Sequence, residues 1–263
     1  MRAATNSFYR DLTLQMDVIG ALVMRELHTR FGRNNIGYLW LIGEPLMLAT
    51  VIGTLHAFQP QHFGSSMAPV PFGLLGYCVF IIFRGIIGRA EGIVEGNLTL
   101  MYHRMVSVLN LSVARAVIEG AGCTCSLIIL TSLAILLGYA DLPARPLYLM
   151  LAVAWMILLS FAVGLNVSAL TFGRPTLGRL VHPVCYFLMP LSGGFTAVSW
   201  LTPDLQKVMI WNPMVCLFEY ARYGMFEGAS DQFLFPAYVN ASIAFFLYTG
   251  LIAIRRLRNR IHL

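Results

Sequence analysis

Pro146–Phe172, PLYLMLAVAWMILLSFAVGLNVSALTF, decides the class of fold. It carries no acidic or basic side chain and is longer than the roughly 20 apolar residues an α-helix needs to cross a bilayer. Five further apolar runs, at about 36–58, 69–90, 119–139, 177–200 and 236–254, repeat the pattern on both sides of it. The composition agrees. The 263 residues are 58% hydrophobic and 11% charged, against about 25% charged in a soluble domain. That leaves too little polar surface for a fold in water and too much apolar side chain for disorder. The expectation is an all-α polytopic membrane protein whose six transmembrane helices occupy 36–254.

The net charge of +6 does not mark a nucleic-acid surface, because the basic residues gather between apolar runs and at the two ends. Fifteen of the 18 Lys and Arg fall before the first run, around 84–115, at 174–179 and in the tail, against three at Arg145, Lys207 and Arg222. The bias toward one side predicts that both termini are cytoplasmic. No cleavable signal peptide is expected, since Asp11 and Asp17 interrupt the N-terminal stretch.

Three segments are not spans. Over 8–33, Leu12, Met16, Ile19, Val23 and Leu27 recur at helical spacing, which predicts an amphipathic interface helix. Residues 91–118 combine Glu91, Glu95, His103, Arg104 and Arg115 with a stripe of Leu98, Met101, Met105, Val108 and Leu109. They read as a cytoplasmic helix pair running into the third span. Residues 201–235 are aromatic and broken by Pro203, Pro213 and Gly224, as suits a re-entrant or gate segment on the outer side.

The polar residues do not assemble a reaction centre. Cys78, Cys123, Cys125, Cys185 and Cys216 lack metal or disulfide spacing. Leu191-Ser192-Gly193-Gly194-Phe195 imitates an ATPase signature, but the chain has no phosphate loop and its only lysine is Lys207. Small residues in an apolar run read instead as a place of close backbone approach. Arg115 and Glu119, at i and i+4, are expected to form a structural pair. Glu44 lies inside the first run, where a carboxylate is either functional or bonded to a neighbouring helix. Arg84 and Arg89 can snorkel from the second. No catalytic residue, metal site or bound cofactor is expected.

ALVMRELHTRFGRNNIGYLWLIGEPL, from Ala21 to Leu46, resembles the start of type-2 ABC exporter permeases for polysaccharides, most closely the bacterial capsular branch. Arg25, Glu26, Thr29, Arg30, Phe31, Gly32, Arg33, Ile36, Gly37, Tyr38, Leu39, Trp40, Glu44 and Pro45 carry the likeness. A second match runs from Asn97 to Glu119 through Tyr102, Val106, Ala114 and Arg115, with Ser107 where the family often has proline.

The resemblance implies a homodimeric permease carrying two copies of a separate ABC ATPase, which binds the ATP and magnesium. The cargo would be a lipid-linked capsular polysaccharide leaving across the bacterial inner membrane, with periplasmic and outer-membrane proteins completing export. Permeases for O-antigen or teichoic-type polymers are the alternative within the family; a secondary carrier or a membrane enzyme lies outside it. Arg25, Glu26, Arg30 and Arg33 then belong to the interface helix, and Glu95, Leu98, Met101, Tyr102, His103 and Arg104 to the ATPase-coupling segment. Sugar rings stack on aromatic faces and bond to polar groups. This makes Tyr38, Trp40, Glu44, Trp200, Trp211 and Tyr220 candidates for the polymer path.

Overall fold

A computed structural model describes residues 2–31, 37–58, 67–101 and 106–258, without the side chains of 2–9, 11, 30–31, 37–42, 45, 56–57 and 258. All regular elements among them are helices: α1 (Arg2–Phe31), α2 (Gly37–Ala57), α3 (Pro69–Ala90), α4 (Leu98–Met101), α5 (Val108–Leu136), α6 (Pro146–Thr171), α7 (Pro175–Leu191), α8 (Pro203–Met209), α9 (Pro213–Met225) and α10 (Pro236–Arg258). Six of them begin on proline, which lacks the N–H that a first helical residue cannot use and arrives with its φ already set.

Among the described residues, four helices are long and apolar enough to cross a membrane: α3, α5, α6 and α10. α3 is the axis of the fold. Its residues from Pro71 to Phe83 are all buried, and α2, α5, α6, α7 and α9 pack around it. α10 leans on α6 with only 11% of its apolar window covered. Leu133, Leu147, Met150, Phe187 and Phe245 point outward, the arrangement a lipid solvent permits and water penalises.

Two segment ends differ from the sequence reading. The third span was expected to start near 119, but α5 runs unbroken from Val108. Ser107 is extended and its hydroxyl accepts from the Asn110 N–H at 3.2 Å, capping the helix. The fifth span was expected to reach Trp200, but α7 stops at Leu191 after 17 residues, roughly 26 Å of helix. Gly193 turns the chain there with φ 78°, a left-handed conformation that glycine alone adopts freely.

α7 lies antiparallel to α3 in a fixed register. A side chain at Gly178 would meet the Glu91 carboxylate, and one at Gly88 would meet the His182 ring. Arg84 contacts Tyr186, and a side chain at Gly76 would overlap the Gly194 carbonyl. The last contact gives Leu191–Phe195 its role. As expected, its small residues permit close backbone approach, but they do so in a turn and not within a span.

Candidate coupling end and translocation face

A small apolar cluster gathers one end of the bundle. Leu22 of α1, Ile93, Val94, Val108, Leu111, Ala114 and Leu257 are buried together, with Val18, Leu100, Met101, Phe172 and Ile254 packed on them. The arginine-rich segments therefore share one end, because each is continuous with a member of this cluster. Of the expected α1 stripe, Leu12 and Met16 stay exposed, as do the other described side chains between Arg10 and Asp17.

Ion pairs and hydrogen bonds tie the same end together. Arg25 donates to the Asn97 side chain at 3.1 Å, and buried Asn97 in turn donates to the Ile93 carbonyl at 2.9 Å. Glu26 lies 3.3 Å from Arg115, and Arg115 also donates to the Arg89 carbonyl. Arg89 pairs with Glu119 at 2.7 Å, where the carboxylate side chain is 7% exposed. α1, the end of α3 and the start of α5 are thus linked by charge. Sequence spacing suggested only an Arg115–Glu119 pair; the links to Glu26 and Arg89 join residues far apart along the chain.

The expected coupling segment is a 3-10 turn, Glu95–Asn97, running into the single turn of α4. Leu98 faces outward and Met101 packs inward. Glu95 accepts from the Gly173 N–H at 2.9 Å, fixing the segment to the α6–α7 corner. Tyr102, His103, Arg104 and Arg33 lie outside the described residues, as do the side chains of Arg30, Tyr38 and Trp40.

The other end is built around α9, which has 11 buried residues. Glu219 and Arg222 form an ion pair at 2.6 Å, with side chains 6% and 3% exposed. Glu219 also accepts from the Val198 N–H at 3.0 Å. Arg222 donates to the Gly193 carbonyl and lies 4.7 Å from the Phe72 ring centre. Both charges are therefore partnered, as burial requires. Sequence reasoning missed this pair, having counted Arg222 only as an outer-side charge; the i, i+3 spacing of Glu219 and Arg222 inside an aromatic run was the available signal.

The proposed path aromatics separate in space. Trp211 is 83% exposed. Trp200 is half-buried and stacks on Phe72 at 4.8 Å. Tyr220 is 4% exposed and meets Trp155 edge-on at 5.0 Å, within the apolar core of the chain. Glu44 is exposed on α2.

Comparison with known proteins agrees with this architecture. The family model described as ABC-2 type transporter matches residues 17–226. The capsule polysaccharide export inner-membrane protein CtrC of Neisseria meningitidis serogroup B is 36% identical over 89% of this chain and 88% of its own. BexB of Haemophilus influenzae, of the same description, is 32% identical over 95% and 94%. The polysialic acid transport protein KpsM of Escherichia coli is 26% identical over 90% and 92%. With most of its length matched, from within α1 through α9, the chain belongs to the ABC-2 type transporter family.

Proposed function

We propose that this chain is the membrane-spanning permease subunit of an ATP-driven exporter that moves lipid-linked capsular polysaccharide across the bacterial inner membrane. The observation that carries the reading is the ion-paired junction of α1, the end of α3, the 95–101 segment and the start of α5. A contact made on that end reaches the central helix directly. The near full-length likeness to capsule export proteins supports the cargo.

In this reading α2 and α7 complete a set of six spans with α3, α5, α6 and α10, and the arginine-rich end faces the cytoplasm. Two copies enclose the path about a two-fold axis. Two copies of a separate ATPase bind ATP and magnesium and press on Leu98 and its neighbours. Periplasmic and outer-membrane proteins receive the polymer, and α9 with its flanking turns forms the outer gate.

The test is deletion of the gene in its own host. Loss of surface capsule with polymer retained inside, restored by the wild-type gene, is expected. Normal surface capsule in the deletion strain would sink the proposal.

A further inference from the structure

Resting on that reading, we infer that Arg84 and Tyr186 together form a docking point for anionic sugar residues on the polymer path. Arg84 interrupts the buried face of α3 directly after Phe83 and is partly exposed. Its guanidinium donates to the Tyr186 hydroxyl at 2.7 Å and lies 4.5 Å from the centre of that ring. Tyr186 itself is 53% exposed on α7.

Snorkelling does not explain this arginine. Side chains on a helix tilt toward its N-terminus, and the N-terminus of α3 lies at the end opposite the arginine-rich segments. Its partner Tyr186 stands about three turns inside α7. The guanidinium is therefore held at depth, where a lipid-facing charge is costly. Among the described residues neither Arg84 nor Glu44 has an ion-pair partner.

Further polar groups stand close to the pair. Glu44 of α2 and Arg84 both act electrostatically on Tyr77, which precedes Arg84 by seven residues on the same face of α3. The Tyr77 hydroxyl is buried and has no hydrogen-bond partner. Charged and polar groups at membrane depth line interior cavities and substrate routes. The pair matches one ligand class closely. A planar guanidinium with donors to spare binds a carboxylate or phosphate, and the exposed face of Tyr186 takes the C–H side of a sugar ring. A neutral glycan would leave the cation unanswered.

The test uses the full-length protein in nanodiscs of zwitterionic lipid, titrated with a galacturonic acid hexamer and, separately, with maltohexaose. Wild type is expected to bind the anionic hexamer at least tenfold more tightly than the neutral one. Arg84→Gln is expected to abolish that preference, Arg84→Lys to keep part of it, and Tyr186→Ala to weaken the anionic hexamer about tenfold. Equal binding of both sugars by wild type, or an unchanged preference in Arg84→Gln, overturns the assignment. So does loss of anionic-hexamer binding when phosphatidylglycerol is added, because the site then belongs to a lipid headgroup. Folding of each variant is checked by its monodisperse elution. An unchanged preference in Arg84→Gln, in a strain whose gene deletion does abolish capsule, removes this site and leaves the exporter reading standing.

Discussion

The guanidinium of Arg222 on α9 donates to the backbone carbonyl of Gly193, 29 residues earlier in the chain. The same side chain neutralises Glu219. One arginine thus holds the turn after α7 against α9. Arg222→Ala strands a buried carboxylate and is expected to cost about 3–5 kcal/mol. Replacing both members, Glu219→Leu with Arg222→Met, is expected to cost less, because no charge remains buried. Thermal unfolding in detergent ranks the variants; a double variant less stable than Arg222→Ala would show that the pair contributes net stability.

Gly76 faces the Gly194 carbonyl, a backbone atom that cannot rotate away. Gly76→Val is expected to separate α3 from the turn, lowering the unfolding temperature and abolishing export. Gly20→Ala is the control, since nothing lies within 4 Å of its added carbon. In a helix interior it is expected to be neutral or to stabilise by about 0.5–1 kcal/mol. Equal damage from both substitutions would refute the close approach.

Leu98 and Met101 share one short helix but face different ways. Leu98→Ala with Tyr102→Ala is expected to abolish export and loosen the ATPase while the subunit stays folded. Met101→Ala alone is expected to cost of the order of 1 kcal/mol of stability and to leave ATPase binding intact. Copurification of the ATPase with each variant separates the two roles, and retention by the Leu98/Tyr102 variant would move the contact to α1.

The Glu26–Arg115 pair is shielded, its side chains 13% and 17% exposed. A double-mutant cycle with Glu26→Gln and Arg115→Gln, read by chemical unfolding, is expected to give a coupling energy of about 1 kcal/mol. A value of zero would mean that α1 is not held through this contact.

Orientation has a direct test. Gly96→Cys and Ser230→Cys both present exposed positions, whereas buried Asn97 would resist any reagent. In intact cells an impermeant maleimide is expected to label position 230 and to miss position 96. Labelling of position 96 from outside would reverse the assignment of sides.

The periodicity and length of apolar runs made the helices legible, and prolines marked most of their starts. α7 was harder. Its apolar run continues through Ala197 and Val198, but the helix stops at Leu191, just before Gly193 with its φ of 78°. Tyr220 stood among the candidates for the polymer path because its segment is aromatic, and its contact with Trp155, from a distant helix, was not legible in that segment. Local spacing offered Arg115–Glu119 and also Glu219–Arg222. It carried no information about Arg89–Glu119, Glu26–Arg115 or Arg84–Tyr186, whose members meet only after the helices pack.

The matched positions of α3 and α7 restrict how the permease can open. A one-turn slip of α7, about 5.4 Å, would move Tyr186 away from Arg84 and carry Gly194 away from Gly76. A ratcheting slide of one helix along the other is therefore barred, and the two travel as a single plank. In the proposed dimer, an opening that keeps this register tilts that plank whole, and the seam that yields then lies between the two copies.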